Sequence, residues 1–232
     1  MTETLKIVTT VAMHGVFDNL APEFTKATGL GIALVFAPPL PAAQRIRDGE
    51  AAVIVISTPE AIDGLNRAGI VAGGSNRIMA CMIMGLAVGM NEPKPDISTT
   101  AKFKQALLAA KSIIHANPDT GSPSAAHFLK IVARLGIADE IKRKTTMRAS
   151  VVAHAVASGE CAMAVQQLAE LMLVDGIHVL GPFPAELQNV MPLSAAVHTK
   201  STKSQLAKVL IDLLTSPRAK LVIEECGLLT AI

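Results

Sequence analysis

The sequence contains no tryptophan and no tyrosine, and phenylalanine occurs six times in 232 residues. Surfaces that stack sugars or nucleobases are built from aromatic rings, so a saccharide or nucleic-acid ligand fits poorly. Charge argues the same way. Charged residues make up 17% of the chain and the net charge is +2, too little for a phosphate-backbone footprint. The one short basic run, Lys142-Arg143-Lys144, reads as a solvated helix end. Three cysteines, Cys81, Cys161 and Cys226, are far apart and odd in number. They form neither metal-ligand spacing nor a disulfide framework and read as buried free thiols. No Gly-x-Gly-x-x-Gly, no Gly-x-x-x-x-Gly-Lys-Ser/Thr and no metal-spaced His/Cys/carboxylate cluster is present, so neither a cofactor nor a metal is expected. The opening MTETLKIVTTVAM carries acidic Glu3 and lacks the basic, apolar and small-residue regions of a secretory signal. The apolar run 79–88 is too short and too rich in glycine to span a bilayer, so no membrane insertion is expected.

What is present is a hydrophobic half of the sequence, in short runs separated by turn residues. Residues 5–9, 32–36 and 52–57 read as strands. Helices are expected over 11–28, after Pro41 through Arg47, and over 59–68; Pro22 predicts a kink or break near Ala21. Continuous apolar strands alternating with helices indicate a largely parallel sheet covered on both faces. After one or two strands in 78–88 comes a proline-rich connector, 91–96, which marks the start of a second lobe. Further helices are expected over 99–110, 125–135, 138–144, 151–158, 169–173, 204–214 and 217–225, and strands over 112–115, 161–166, 177–180 and 191–197. The expected architecture is α/β with two lobes: residues 1–83 and 192–232 form one, and 84–191 are inserted as the other. Two chain crossings would permit hinge closure around a ligand in a cleft between the lobes.

The stretch NPDTGSPSAAHFLKIVARLG, residues 117–136, concentrates the polar chemistry. Gly121, Ser122 and Ser124 supply a turn and candidate N-caps. Phe128, Leu129, Ile131, Val132 and Leu135 follow at helical spacing, with Gly136 as the stop. A helix start carries free N–H groups and partial positive charge and can cradle an anion. Taken alone the stretch reads as a cap, because caps far outnumber anion sites.

In open α/β sheets, ligands bind beyond the carboxyl ends of the strands. Those ends collect Thr9 to His14, Ala37-Pro38-Pro39, Ser57-Thr58, residues 117–124, residues 147–151 and Gln166-Gln167. This set has hydroxyls, amides, helix starts and Arg148, but no carboxylate pair, and it suits a small anion. The candidate ligand-binding residues are Thr10, Ala12, Met13, Pro39, Ser122, Ser124, Arg148, Gln166 and Gln167, with apolar walls from Val11, Met13 and Leu40. Arg148 could grip a carboxylate bidentately, although a mid-chain arginine is more commonly a surface residue. Gln166-Gln167 ends an apolar strand; a buried glutamine needs partners, a ligand among them. Glu170 reads as an exposed helix residue. His14 and His127 fall in first helical turns, where a structural role is commoner than a catalytic one.

Five segments carry a resemblance: LKIVTTVAMHGVFDNLAPEFTKATG, IRDGEAAVIVIS, KPDISTTAKFKQALLAAKSI, VASGECAMAVQQLAEL and VLGPFPAELQNVMPLSAAV. Together they resemble the type II periplasmic-binding-protein superfamily, near the molybdate-binding proteins and nearest a divergent subgroup that includes aconitate isomerases. The resemblance runs nearly end to end and implies a two-lobe fold with Ser122, Ser124 and Gln166-Gln167 lining a ligand cleft. The serines that molybdate binders use in the first two loops are replaced by Val11, Ala12 and Pro38-Pro39-Leu40-Pro41, and their tyrosine is absent. Prolines have no N–H to give, so a tetrahedral oxyanion loses donors. Pro123, Ala125 and Val151-Val152 depart from the glycine-rich loops of the subgroup.

Two functions are therefore expected. One is a binding module for a small organic anion, a carboxylate by its cleft chemistry, with an ABC permease as partner if the chain is exported. The other is an isomerase that shifts a C=C bond next to a carboxylate of an unsaturated di- or tricarboxylate. His14 would be its base and His127 the runner-up, because a helix start disfavours the charged imidazole. The numbered chain reads as cytoplasmic, or as periplasmic if Met1 replaces a removed signal.

Overall fold

The computed structural model describes residues 3–149 and 151–230. The chain divides into two compact units, Met1–Cys81 with Met191–Ile232, and Met82–Val190. The first unit opens with β1 (Thr4–Thr9), a 3-10 turn (Val11–Met13), α1 (His14–Thr28), β2 (Gly31–Phe36), α2 (Pro39–Arg47), β3 (Ile54–Ser57), α3 (Pro59–Arg67) and β4 (Arg77–Met82). α1 buries Val16, Phe17, Leu20 and Phe24 and ends at Gly29 with φ 73°, a left-handed position that glycine occupies without a Cβ penalty.

Two local expectations are corrected here. α1 runs unbroken through Pro22. The ring removes one N–H from the helix ladder, and Leu20 and Phe24, buried on either side, hold the turn. α2 starts at Pro39 rather than after Pro41. The first N–H groups of a helix have no intrahelical partner, so proline loses nothing there. α3 starts in the same way, with Thr58 as N-cap accepting from the Ala61 N–H at 3.4 Å.

The second unit contains β5 (Met84–Gly89), α4 (Thr100–Ala109), β6 (Ile113–Ala116), α5 (Pro123–Arg134), α6 (Ala138–Arg143), β7 (Thr145–Arg148), α7 (Ala153–Ala157), β8 (Met163–Gln167), α8 (Leu168–Leu171) and β9 (Ile177–Pro182). The chain then returns to the first unit through β10 (Met191–Val197), α9 (Ser204–Leu214), α10 (Pro217–Glu225) and β11 (Leu229–Thr230). The first sheet has the order β11-β4-β10-β3-β1-β2 and the second β7-β6-β8-β5-β9. β1 runs parallel to β2 and β3, with β10 antiparallel to β3. β6 runs parallel to β7 and β8, and β5 is antiparallel to β8 and β9.

Alternation along the strands assigns each face its cover. In the first unit Val8, Val55 and Ala196 pack with Ala42, Ala43 and Ile46 of α2 and Ile62 and Leu65 of α3. In the second, Met84, Leu86, Val88, Ile113, Met163 and Val165 meet Phe103 of α4, Phe128 and Ile131 of α5 and Ile141 of α6. The opposite face, Ala87, Ile114 and Ala164, packs on Val152, Ala153 and Val156 around α7. Phe103 meets Phe183 edge to face with ring centres 4.7 Å apart.

Candidate functional site

Each sheet presents its own carboxyl edge. In the first unit β1 ends at Thr9, β3 ends at Ser57, and antiparallel β10 sets Ser194 opposite Ser57. Thr9, Thr10, Ser57 and Ser194 are all buried. Ser57 Oγ donates to the Pro39 carbonyl at 2.5 Å, tying β3 to the start of α2. Among the described residues, Thr9 Oγ1 and Ser194 Oγ are buried without a hydrogen-bond partner, a costly arrangement that a ligand group would relieve. Ala12 and Met13 are buried in the 3-10 turn, whose Met13 N–H donates to the Thr10 carbonyl at 3.1 Å. Leu40 is 57% exposed and Pro39 buried. His14 lies 4.9 Å from Phe36, ring centre to ring centre. Its Nε2 is 3.6 Å from the Asp18 carboxylate, and the imidazole is 42% exposed.

The carboxyl edge of the second unit is richer. Ser122 caps α5 by position, and its Oγ lies 2.9 Å from Ser124 Oγ. Ser122 makes no side-chain bond to the helix backbone, so the cap expected from the sequence is replaced by a serine pair. Pro123 fills the first helical position, and Ser124 is buried. Gln166 and Gln167 are both buried and point to opposite faces of the sheet. Gln166 shares the face of Ala164 and α7. Its Oε1 accepts the Val152 N–H at 2.9 Å, which leaves Nε2 to donate to the Glu170 carboxylate. Gln166 is thus satisfied within the protein rather than awaiting a ligand. Gln167 shares the face of Val165 and α5, and among the described residues its Oε1 is buried without a partner.

Glu170 corrects the sequence reading. It is half-buried rather than an exposed helix residue. Burial pushes its carboxyl up to about 7, against the opposing pull of the Gln166 hydrogen bond. A carboxyl so raised can hold or release a proton near neutral pH. His115, one strand away, is also buried. Its Nδ1 lies 2.7 Å from the Ala116 carbonyl and its ring meets Phe128 edge-on at 5.3 Å. Burial holds this imidazole below its usual range.

Two expected residues are engaged elsewhere. Arg148 ends β7 half-exposed and is ion-paired with the Glu160 carboxylate. Nε2 of His127 lies 2.8 Å from the Leu187 carbonyl, a contact that fastens α5 to the segment before β10. The 147–151 loop, read as part of the strand-end set, includes Ser150, which lies outside the described residues. Ser194, His115 and the Val152 N–H did not emerge from the sequence. Ser194 joins the edge only because β10 pairs antiparallel with β3, and nothing local announces that pairing. Glu170 had no such signal, since Gln166 ends a strand and Glu170 lies in the short helix after it.

Two α/β units linked by two chain crossings, each with strand ends leading into helix starts, define a type II periplasmic-binding-protein fold. The chain belongs to the family described as bacterial extracellular solute-binding protein, whose model matches residues 5–229. It is 32% identical over 232 residues to an aconitate isomerase of Pseudomonas sp, covering 97% of this chain and 87% of the relative. Among solved structures it is similar to the periplasmic molybdate-binding protein of Azotobacter vinelandii, with TM-score 0.78, 20% identity and coverage of 98% and 100% of the two chains. It is also similar to the sulfate-binding protein of Mycobacterium tuberculosis, with TM-score 0.72, 16% identity and coverage of 97% and 86%. These two likenesses establish the fold. No helix among the described residues is long and apolar enough to cross a membrane.

Proposed function

We propose that this chain binds a small unsaturated polycarboxylate and moves its C=C bond by proton transfer next to a carboxylate. The observation that carries the reading is the identity with an aconitate isomerase along 97% of the chain; the solved neighbours are too distant in sequence to carry a ligand. The chemistry of the strand ends supports it. Pro38, Pro39 and Pro41 remove three N–H groups from the start of α2, and the Val152 N–H is taken by Gln166. A tetrahedral oxyanion, which binds through many short N–H and O–H donors, is poorly served. The start of α5 and the Ser122–Ser124 hydroxyls can donate to a carboxylate.

The test is proton NMR of trans-aconitate and related unsaturated acids with the protein in deuterated water. The reading expects catalytic conversion to the isomer or deuterium uptake at the carbons flanking the double bond. Absence of both from every acid tried contradicts it.

The second reading is binding without turnover, with an ABC permease as partner if the chain is exported. The solute-binding family match favours it. A ligand-dependent rise in melting temperature with no isomerisation is its expected signature. A panel of di- and tricarboxylates, aromatic acids, molybdate and sulfate identifies the class.

A further inference from the structure

We propose that Glu170 is the catalytic acid–base of this isomerisation, held in place by Gln166, and that neither His14 nor His127 serves. The proposal rests on the isomerase reading and deepens it by assigning the proton-moving group.

The geometry singles out Glu170. It stands at the start of α8, four residues beyond Gln166, on the carboxyl edge of the second sheet. The Gln166 amide is fixed in one orientation, because its Oε1 accepts the Val152 N–H. Its Nε2 must then face Glu170, and it donates to one carboxylate oxygen. The other oxygen has no hydrogen-bond partner among the described residues. α8 itself is pinned, since the Leu168 N–H donates to the Ile83 carbonyl at 2.8 Å and Leu168 lies over Gly85. Glu170 is half-buried as a residue, and burial is the larger influence on its carboxyl. The raised carboxyl suits the task, since a base near the working pH removes a carbon-bound proton better than an ordinary glutamate. The histidines are less suited: His127 is committed to the Leu187 carbonyl, and His14 is packed on Phe36 and faces the Asp18 carboxylate at 3.6 Å.

The step balances without a cofactor. The ionised Glu170 oxygen takes a proton from the methylene carbon of the allylic unit. That C–H pair becomes the new C=C bond, the old C=C pair moves to the far carbon, and Glu170 returns the proton there. One C–H bond breaks, one forms, and nothing is oxidised or reduced.

The experiment compares parent protein, E170Q and E170D with trans-aconitate as probe. It follows isomerisation by NMR in deuterated water and binding by ligand-induced thermal shift. E170Q is expected to lose at least about 100-fold in kcat while keeping the thermal shift. E170D, with its carboxyl withdrawn by one methylene, is expected to fall between the two. E170Q turning over as fast as the parent overturns Glu170 and leaves the isomerase reading standing. A parent that binds but never turns over overturns the isomerase reading, and this proposal with it. Should E170Q fail to fold, E170D decides: an unchanged kcat overturns the proposal and a loss of tenfold or more with an intact thermal shift supports it.

Discussion

The two sheets end in different chemistry. The first unit gathers hydroxyls at its carboxyl edge, Thr9, Thr10, Ser57 and Ser194, every one of them buried. The second gathers amides and titratable groups: Gln166, Gln167, Glu170 and His115. Its edge also carries the Ser122–Ser124 pair. An edge of hydroxyls can orient a ligand but has nothing to give or take near neutral pH, whereas the second edge can move a proton. The difference continues into the packing. In the second unit α8 presses onto β5 where a glycine leaves room. Among the described residues of the first unit the approaches are milder, at Gly31 against the Thr4 methyl at 3.2 Å and at Gly64 against the Arg47 guanidinium at 3.3 Å.

That contrast is sharpest in the glycines. A Cβ at Gly85 would lie 2.8 Å from Leu168 Cδ1 and 3.1 Å from the Gly181 carbonyl. G85A is expected to destabilise the protein by about 2–3 kcal/mol and to displace α8 with Glu170. At Gly31 the nearest atom is Thr4 Cγ2 at 3.2 Å, and G31A is expected to cost about 1 kcal/mol or less. Urea unfolding of both variants checks the pair, and equal losses would remove the distinction between the units.

A second expectation concerns pH. Glu170 titrates at about 7 in the folded chain against 4.5 ordinarily, so the folded state holds a proton that the unfolded state has released. Stability contributed at this site is intact below about pH 4.5, declines as pH rises toward 7 and stays lost above it. E170Q removes the penalty. It should be about 2 kcal/mol more stable relative to the parent at pH 8 than at pH 4.5, by denaturant unfolding at each pH. His115 acts with the opposite sign. Its imidazole is held low, so its contribution is present at neutral pH and lost as pH falls below the ordinary histidine range. It acts equally in parent and E170Q, and the difference between them isolates Glu170. A pH-independent difference would contradict the assignment.

The smallest expected effect lies in the first unit. T9V replaces an unpartnered buried hydroxyl with a methyl and should raise unliganded stability by about 1 kcal/mol. The same variant should weaken ligand binding, measured by thermal shift at fixed ligand concentration. Unchanged affinity would mean that the hydroxyl does not meet the ligand.

Much of this molecule is legible from its residues, unevenly. The apolar strands and amphipathic helices emerge almost to the residue, as with β10 over 191–197 and α9 over 204–214, because burial periodicity is a local property. β7 and β11 do not. Thr145–Arg148 is mostly exposed and without alternation, and β11 has only two residues; both are strands only because a neighbour offers hydrogen bonds. The candidate site divides in the same way. The serines at α5 and the paired glutamines are visible as strand-end and helix-start residues. What each side chain touches is not visible. Gln166 is turned inward by the Val152 N–H, Arg148 is turned outward by Glu160, and Glu170 is half-buried against the Gln166 amide.

Isothermal titration calorimetry of the unliganded protein with trans-aconitate and, separately, with molybdate at the same pH and salt tests the central claim most directly. The account predicts saturable binding of the tricarboxylate, near one per chain, and no measurable heat from molybdate. Tight molybdate binding with no response to the tricarboxylate would contradict it.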